Sequence, residues 1–152
     1  EDIDHLGQRL RAMIRDDRQM QAIQHIPGVG DLTASALVAA VGDFSSFKSG
    51  RQFASWVGLT PRQVGTGGKT QQLGISKRGD TYLRTLLIAG ARAVVARAER
   101  SSWITRLLDR RHYNVVVVAL ANKMARTAWA VLAKGAAFDK ERWNPLAPMS
   151  AS

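Results

Sequence analysis

Two stretches of this 152-residue sequence combine residue types and spacing suited to work on a phosphate. The first is Ile26-Pro27-Gly28-Val29-Gly30-Asp31-Leu32-Thr33-Ala34, in which Gly28 and Gly30 flank an apolar Val29 directly before an alanine-rich helical pattern. Two glycines permit positive φ and leave backbone N–H groups uncovered. With the unpaired donors and positive dipole end of the next helix, such amides can hold a phosphate oxygen, while Val29 plugs the turn into a core. On a nucleic acid such contacts would go to the backbone and carry no sequence information. A plain turn between two packed helices is the competing reading.

The second stretch, Pro61 to Asp80, reads PRQVGTGGKTQQLGISKRGD. It offers close backbone approach at Gly67 and Gly68, cations at Lys69, Lys77 and Arg78, and hydroxyls at Thr66, Thr70 and Ser76. Positioning and charge neutralisation dominate phosphoryl transfer, and these residues supply both. An ATP-binding P-loop is excluded, because Gln63 stands where GxxxxGK[ST] needs its first glycine and no buried strand precedes it. An ordinary polar surface loop remains the alternative.

The elements that must position these stretches read as helices throughout. Ile3, Leu6, Leu10, Met13 and Met20 recur at three- and four-residue steps, with Asp17 in one apolar slot, as in a coiled coil over residues 1–24. Residues 19–42 form helix, turn, helix, with Asp31 or Thr33 as cap and Gly42 as stop. A short helix follows over Phe47 to Gly58. Asp80 then caps an amphipathic helix through Val94, whose polar face carries Arg84, Arg92 and Arg97. Shorter and longer helices are expected over Trp103 to Arg110 and Asn114 to Lys134, the latter stopped by Gly135. Val115 to Val118 is the one strand-like run, and its helical flanks make it helix. The expected fold is all-α, with a helix-hairpin-helix inside a domain over 25–140 and an extended tail over 141–152.

Charge narrows the partner. The net charge is +10, and residues 51–111 alone hold twelve basic against three acidic side chains. Such a concentrated field fits a polyanion. Lys69, Lys77, Arg78, Arg84 and Arg92 form the expected DNA-facing set. The absence of cysteine excludes disulfides and thiolate sites and is compatible with a reducing cytoplasm. No apolar run approaches the roughly 20 residues that span a bilayer, so no membrane partner is expected. The sequence opens at Glu1 inside a helical pattern, which suggests that it continues upstream. His5, His25 and His112 share no metal-ligand spacing, and no metal or other cofactor is expected within these residues. Trp56, Trp103 and Trp129 lie among apolar periodic residues and read as core, whereas Trp143 sits in the polar tail.

The stretches IPGVGDLTASAL, FKSGRQFASWVGLTPRQ, GTGGKTQQLGISKRGDTYLRTLLIAGAR and ALANKMARTAWAVL together resemble the C-terminal domain of the DEDD insertion-sequence transposases, which include the bridge-RNA-guided recombinases. The resemblance covers about residues 22 to 140. It implies a serine-recombinase-like mechanism in which a loop hydroxyl attacks a DNA phosphodiester. It also implies a separate ribonuclease-H-like domain holding Mg²⁺ on four acidic residues, joined through a coiled coil, together with a homo-oligomer and, where the likeness extends that far, a guide RNA. The family serine falls within Ser-Ser-Gly-Gly-Lys, and here Gly65-Thr66-Gly67-Gly68-Lys69 stands in its place. Counting from Pro61 puts the nucleophile at Thr66; counting back from Ile75 puts it at Gly65. Thr66 is the preferred candidate, although its β-branch crowds the oxygen, and Ser76 is the fallback. The rival readings are a non-catalytic hairpin module of a repair or recombination protein, and a basic helical domain for acidic protein or RNA.

Overall fold

Helix-forming residues at 3.6-residue spacing dominate the chain, and the computed structural model bears this out over the residues it describes, 2–60, 80–97, 103–135 and 137–139. The order is α1 (Asp2–Ile23), α2 (Asp31–Ala40), a 3₁₀ turn (Phe44–Ser46), α3 (Gly50–Val57), α4 (Asp80–Ala96), α5 (Trp103–Leu108) and α6 (Tyr113–Lys134), with no strand among the described residues.

The core is built around α6, which packs against α1, α3, α4, α5 and the 3₁₀ turn. Val116, Val117, Leu120, Ala121, Met124, Ala125 and Ala128 are buried on it, and the alanines let neighbouring helices approach closely. Length and hydropathy alone would let α6 cross a bilayer, but its apolar residues form the centre of this helical core. Val115 to Val118 is helical, as its flanks require, and Gly135 ends α6 with φ 66°. Leu83, Leu87, Ala91 and Val94 are the buried face of α4. Phe44, Phe47, Phe53 and Trp56 form one aromatic cluster, with Phe44 and Phe47 edge-on to Phe53 at 5.2 and 5.1 Å and Trp56 stacked on Phe53 at 6.0 Å. Trp129 is buried, and its indole N–H donates to the Phe44 carbonyl at 3.0 Å. Both tryptophans are therefore core residues.

Several boundaries differ from expectation. The helix expected over Phe47 to Gly58 starts later, at Gly50, where Ser49 accepts from the Gln52 amide, and a separate 3₁₀ turn precedes it, started by Asp43, which accepts from the Ser45 amide. Neither Asp31 nor Thr33 caps α2. Gly30 is the N-cap without a side-chain hydrogen bond, Asp31 lies inside the first turn, and Thr33 is buried. The helix also stops at Ala40, ahead of Gly42, because Val41 turns extended to bury its side chain. α5 ends at Leu108, short of Arg110.

Candidate nucleic-acid interface

The hairpin joins α1 to α2 across seven residues, 24–30. Ile26 and Val29 are buried, and the Val29 amide donates to the Ile26 carbonyl at 3.0 Å. Val29 thus plugs the turn as expected, and its N–H is committed inside the turn. Gly28 has φ 92°, a region that L side chains rarely adopt. A Cβ there would lie 2.8 Å from Met124 Cε and 3.1 Å from the Gly90 carbonyl, while one on Gly90 would lie 2.1 Å from the Gly28 carbonyl. Gly28 and Gly90 are therefore glycine because two backbones touch there. The turn is clamped to α4.

Gly30 is different. It is exposed, a Cβ would meet nothing within 4 Å, and it stands at the N-terminus of α2. The first amides of an α-helix have no intrahelical acceptor, so this is the part of the hairpin that can offer N–H groups to an anion. Beside it the Asp31 carboxylate accepts from Gln24 Nε2 at 2.6 Å, tying the first residue of the hairpin to α2. That carboxylate favours the helix dipole but competes with any second anion.

The cations do not all gather with Gly30. Arg84 is half-buried and Arg92 exposed, both on α4. Positions 90 and 92 are separated by roughly 200° around a helix axis, so Arg92 leaves α4 on the side away from the hairpin. Arg97, exposed just beyond α4, continues the Gly90 side at about 20° from it. Thr66, Gly67, Gly68, Lys69, Ser76, Lys77 and Arg78 lie outside the described residues, as does Trp143.

Two further cations stand at the root of the 61–79 segment. Asn122 Nδ2 donates to the Leu59 carbonyl at 3.3 Å, and Arg126 Nε donates to Asn122 Oδ1 at 2.6 Å. Gly50 lets α3 lie close on α6 here, since a Cβ would come within 3.2 Å of the Arg126 backbone. Beside this chain of contacts, burial pushes the Lys123 ammonium below its ordinary pKa, and the neighbouring Arg126 charge adds to the shift. Two like charges held together in this way favour an anion. The signal was present in ALANKMARTAW as a Lys and an Arg three residues apart, but only the packing of α6 shows which end of the molecule they reach.

His112 caps α6, its Nδ1 accepting from the Asn114 amide at 3.1 Å. Its role is structural.

The sequence matches the family model described as Transposase IS116/IS110/IS902 family over residues 20–107, more than half of its length. It is 51% identical over 137 residues to a probable family 20 transposase of Pseudomonas aeruginosa, covering 87% of this chain and 40% of that protein. It is 44% identical over 145 residues to the transposase for insertion sequence element IS1328 of Yersinia enterocolitica, covering 92% of this chain and 43% of the relative. A pilin gene-inverting protein of Moraxella bovis is 31% identical over 123 residues, covering 76% of this chain and 37% of its own length. The chain thus spans about two fifths of these relatives. The clamped hairpin and α4 both fall inside the matched region, and the chain belongs to the IS116/IS110/IS902 transposase family.

Proposed function

We propose that this chain is the DNA-binding and strand-exchange part of a bacterial insertion-sequence transposase, acting on DNA in the cytoplasm. The observation that carries this reading is the exposed, side-chain-free start of α2 at Gly30, on a turn held rigid by the Gly28–Gly90 contact. A phosphate oxygen there receives backbone amides at a positive dipole end. Arg97 beside the hairpin, and Arg84, Arg92, Lys123 and Arg126 around α4 and α6, follow the sugar-phosphate chain on either side. Lys69, Lys77 and Arg78 add charge from the 61–79 segment, where Gly67, Gly68 and Ser76 provide close approach and a further hydroxyl.

In the exchange step the Thr66 hydroxyl attacks a phosphodiester phosphorus. The new ester joins Thr66 Oγ1 to the phosphate, the bond to one deoxyribose oxygen breaks, and the proton lost by Thr66 is balanced by one gained on the departing sugar hydroxyl. Religation is the reverse, with the hydroxyl of another strand. Mg²⁺ belongs to the ribonuclease-H-like domain implied by the resemblance, and a guide RNA would choose the target. The apolar stripe of α1 serves assembly into a homo-oligomer: Leu6, Leu10 and Met13 are 61%, 58% and 65% exposed.

Replacing Thr66 in the full-length transposase tests the chemistry. Thr66→Ser should recombine DNA, and Thr66→Ala should bind but leave strands unexchanged. Normal recombination by the alanine variant would make this a non-catalytic hairpin module at that position.

A further inference from the structure

We propose that two copies of this chain pair through α1 in antiparallel orientation, each Leu10 packing on the partner's Met13 and each Arg9 facing the partner's Asp16. This deepens the reading above that α1 serves assembly, and rests on it. None of residues 4–18 of α1 is buried, and Ile23 is the first buried side chain of the helix. A helical stretch of that length, exposed on every side, gains little from its own hydrogen bonds and needs an apolar contact to hold it. Leu6, Leu10, Met13 and Asp17 follow alternating four- and three-residue steps, the seam of a two-helix coil. Arg9 and Asp16 flank that seam on one side, Gly7 and Ile14 on the other.

The seam and its flanks choose the orientation. In a parallel pair each seam residue meets its own counterpart, so Asp17 would face the partner's Asp17 beside apolar neighbours, where like charges repel. The flanks would set Arg9 against Ile14 and Asp16 against Gln21, joining no opposite charges. Antiparallel pairing with Leu10 on the partner's Met13 removes both faults. Asp17 then lies against the partner's Leu6, and keeps the hydrogen bond it accepts from Gln21 Nε2 at 3.2 Å. Arg9 faces Asp16 twice, once from each copy. Asp16 also lies 3.8 Å from Arg15 of its own chain, but both side chains are more than half exposed, so that pair is weak. Sliding the pairing by one heptad either way sets Arg9 on Arg9 or Asp16 on Asp16, so charge fixes the register as well. On the other side Ile14, 47% exposed, covers the partner's Gly7. Glycine costs helix stability, and a Cβ on Gly7 would meet only Arg11 of its own helix, at 3.6 Å. Nothing among the described residues calls for a glycine there, whereas an isoleucine seated across the seam does. The two hairpins then begin roughly 35 Å apart along the paired helices, so each copy grips a different stretch of duplex.

The sequence has no cysteine, so disulfide mapping on this chain reads the orientation directly. On mixing and oxidation, the Leu6→Cys and Asp17→Cys variants should join to each other. Neither should join to itself, because the 6–6 and 17–17 pairs are then roughly 16 Å apart along the axis, beyond the about 7 Å between Cα atoms that a disulfide spans. In sedimentation, Arg9→Asp and Asp16→Arg should each weaken self-association by about tenfold, and an equimolar mixture of the two should recover it, since both cross-copy pairs are again opposite in charge. Disulfides formed within each single variant would make the pair parallel and overturn the proposal, as would a mixture that fails to recover. A chain that stays monomeric at every concentration overturns it too, and removes α1 as the assembly face. Unchanged duplex DNA affinity beside any of these results would confine the failure to the pairing and leave the DNA-binding reading standing.

Discussion

At the scale of single residues, glycine carries two incompatible messages that look identical in a sequence. Gly28 and Gly30 both stand before an alanine-rich helix, and both were expected to bare amides to DNA. The packing separates them: Gly28 closes against Gly90, and Gly30 faces solvent. Gly90 itself reads in the sequence as one more small residue on an apolar helix face, since a contact 62 positions away in the chain leaves no local trace. Gly90→Ala should therefore cost about 3 kcal/mol in urea unfolding, at the upper end for overpacked cores, whereas Gly30→Ala should cost about 1 kcal/mol or less, the N-cap preference for glycine over alanine with no crowding added. Lys123 provides a pH test. Its folded pKa is lowered by burial and Arg126, so the unfolded chain binds more protons and stability rises as pH climbs through the lysine range. Lys123→Met should flatten that rise and weaken duplex DNA binding without lowering stability at neutral pH.

At the scale of elements, α4 and α6 were legible because both have long amphipathic periods, and in α6 a terminal glycine agrees with the period. The region 43–58 was less so. The aromatic period suits a helix from Phe47, yet Asp43 and Ser49 each capture a downstream amide, so a 3₁₀ turn comes first and the helix starts only at Gly50. Asp43 is held below the ordinary carboxylate range chiefly by the Ser45 hydroxyl and then by its amide. Its stabilising contribution is present above that range and fades as pH falls through it. Asp43→Asn should therefore remove part of the acid sensitivity of the near-ultraviolet signal from the Phe44, Phe53 and Trp56 cluster. Ser49→Ala should lower stability by about 1 kcal/mol through loss of the α3 cap. α1 is one continuous helix, so the expected coiled-coil segment and the first hairpin helix share it. Leu10→Glu, on its exposed stripe, should leave the melting temperature of this chain nearly unchanged while weakening self-association of the full-length protein in sedimentation.

At the scale of the whole molecule, the all-α class and the basic character followed from the pattern alone, but convergence of the cations on one surface did not. Helix geometry sends Arg92 away from the hairpin and Arg97 toward it, and the α6 pair reaches a third place, so the positive field wraps α4 and α6. Sequence spacing names the charged residues of a helix; only the buried side of that helix decides where they point. The central claim is that this wrapped field and the start of α2 grip a duplex by its backbone. The most direct measurement is the salt dependence of duplex DNA affinity for the full chain. The account predicts that log K falls with log salt at a slope of roughly −4 to −5, and that Arg92→Ala and Arg126→Ala each reduce its magnitude by about one. A flat response, or slopes unchanged in both variants, would contradict it.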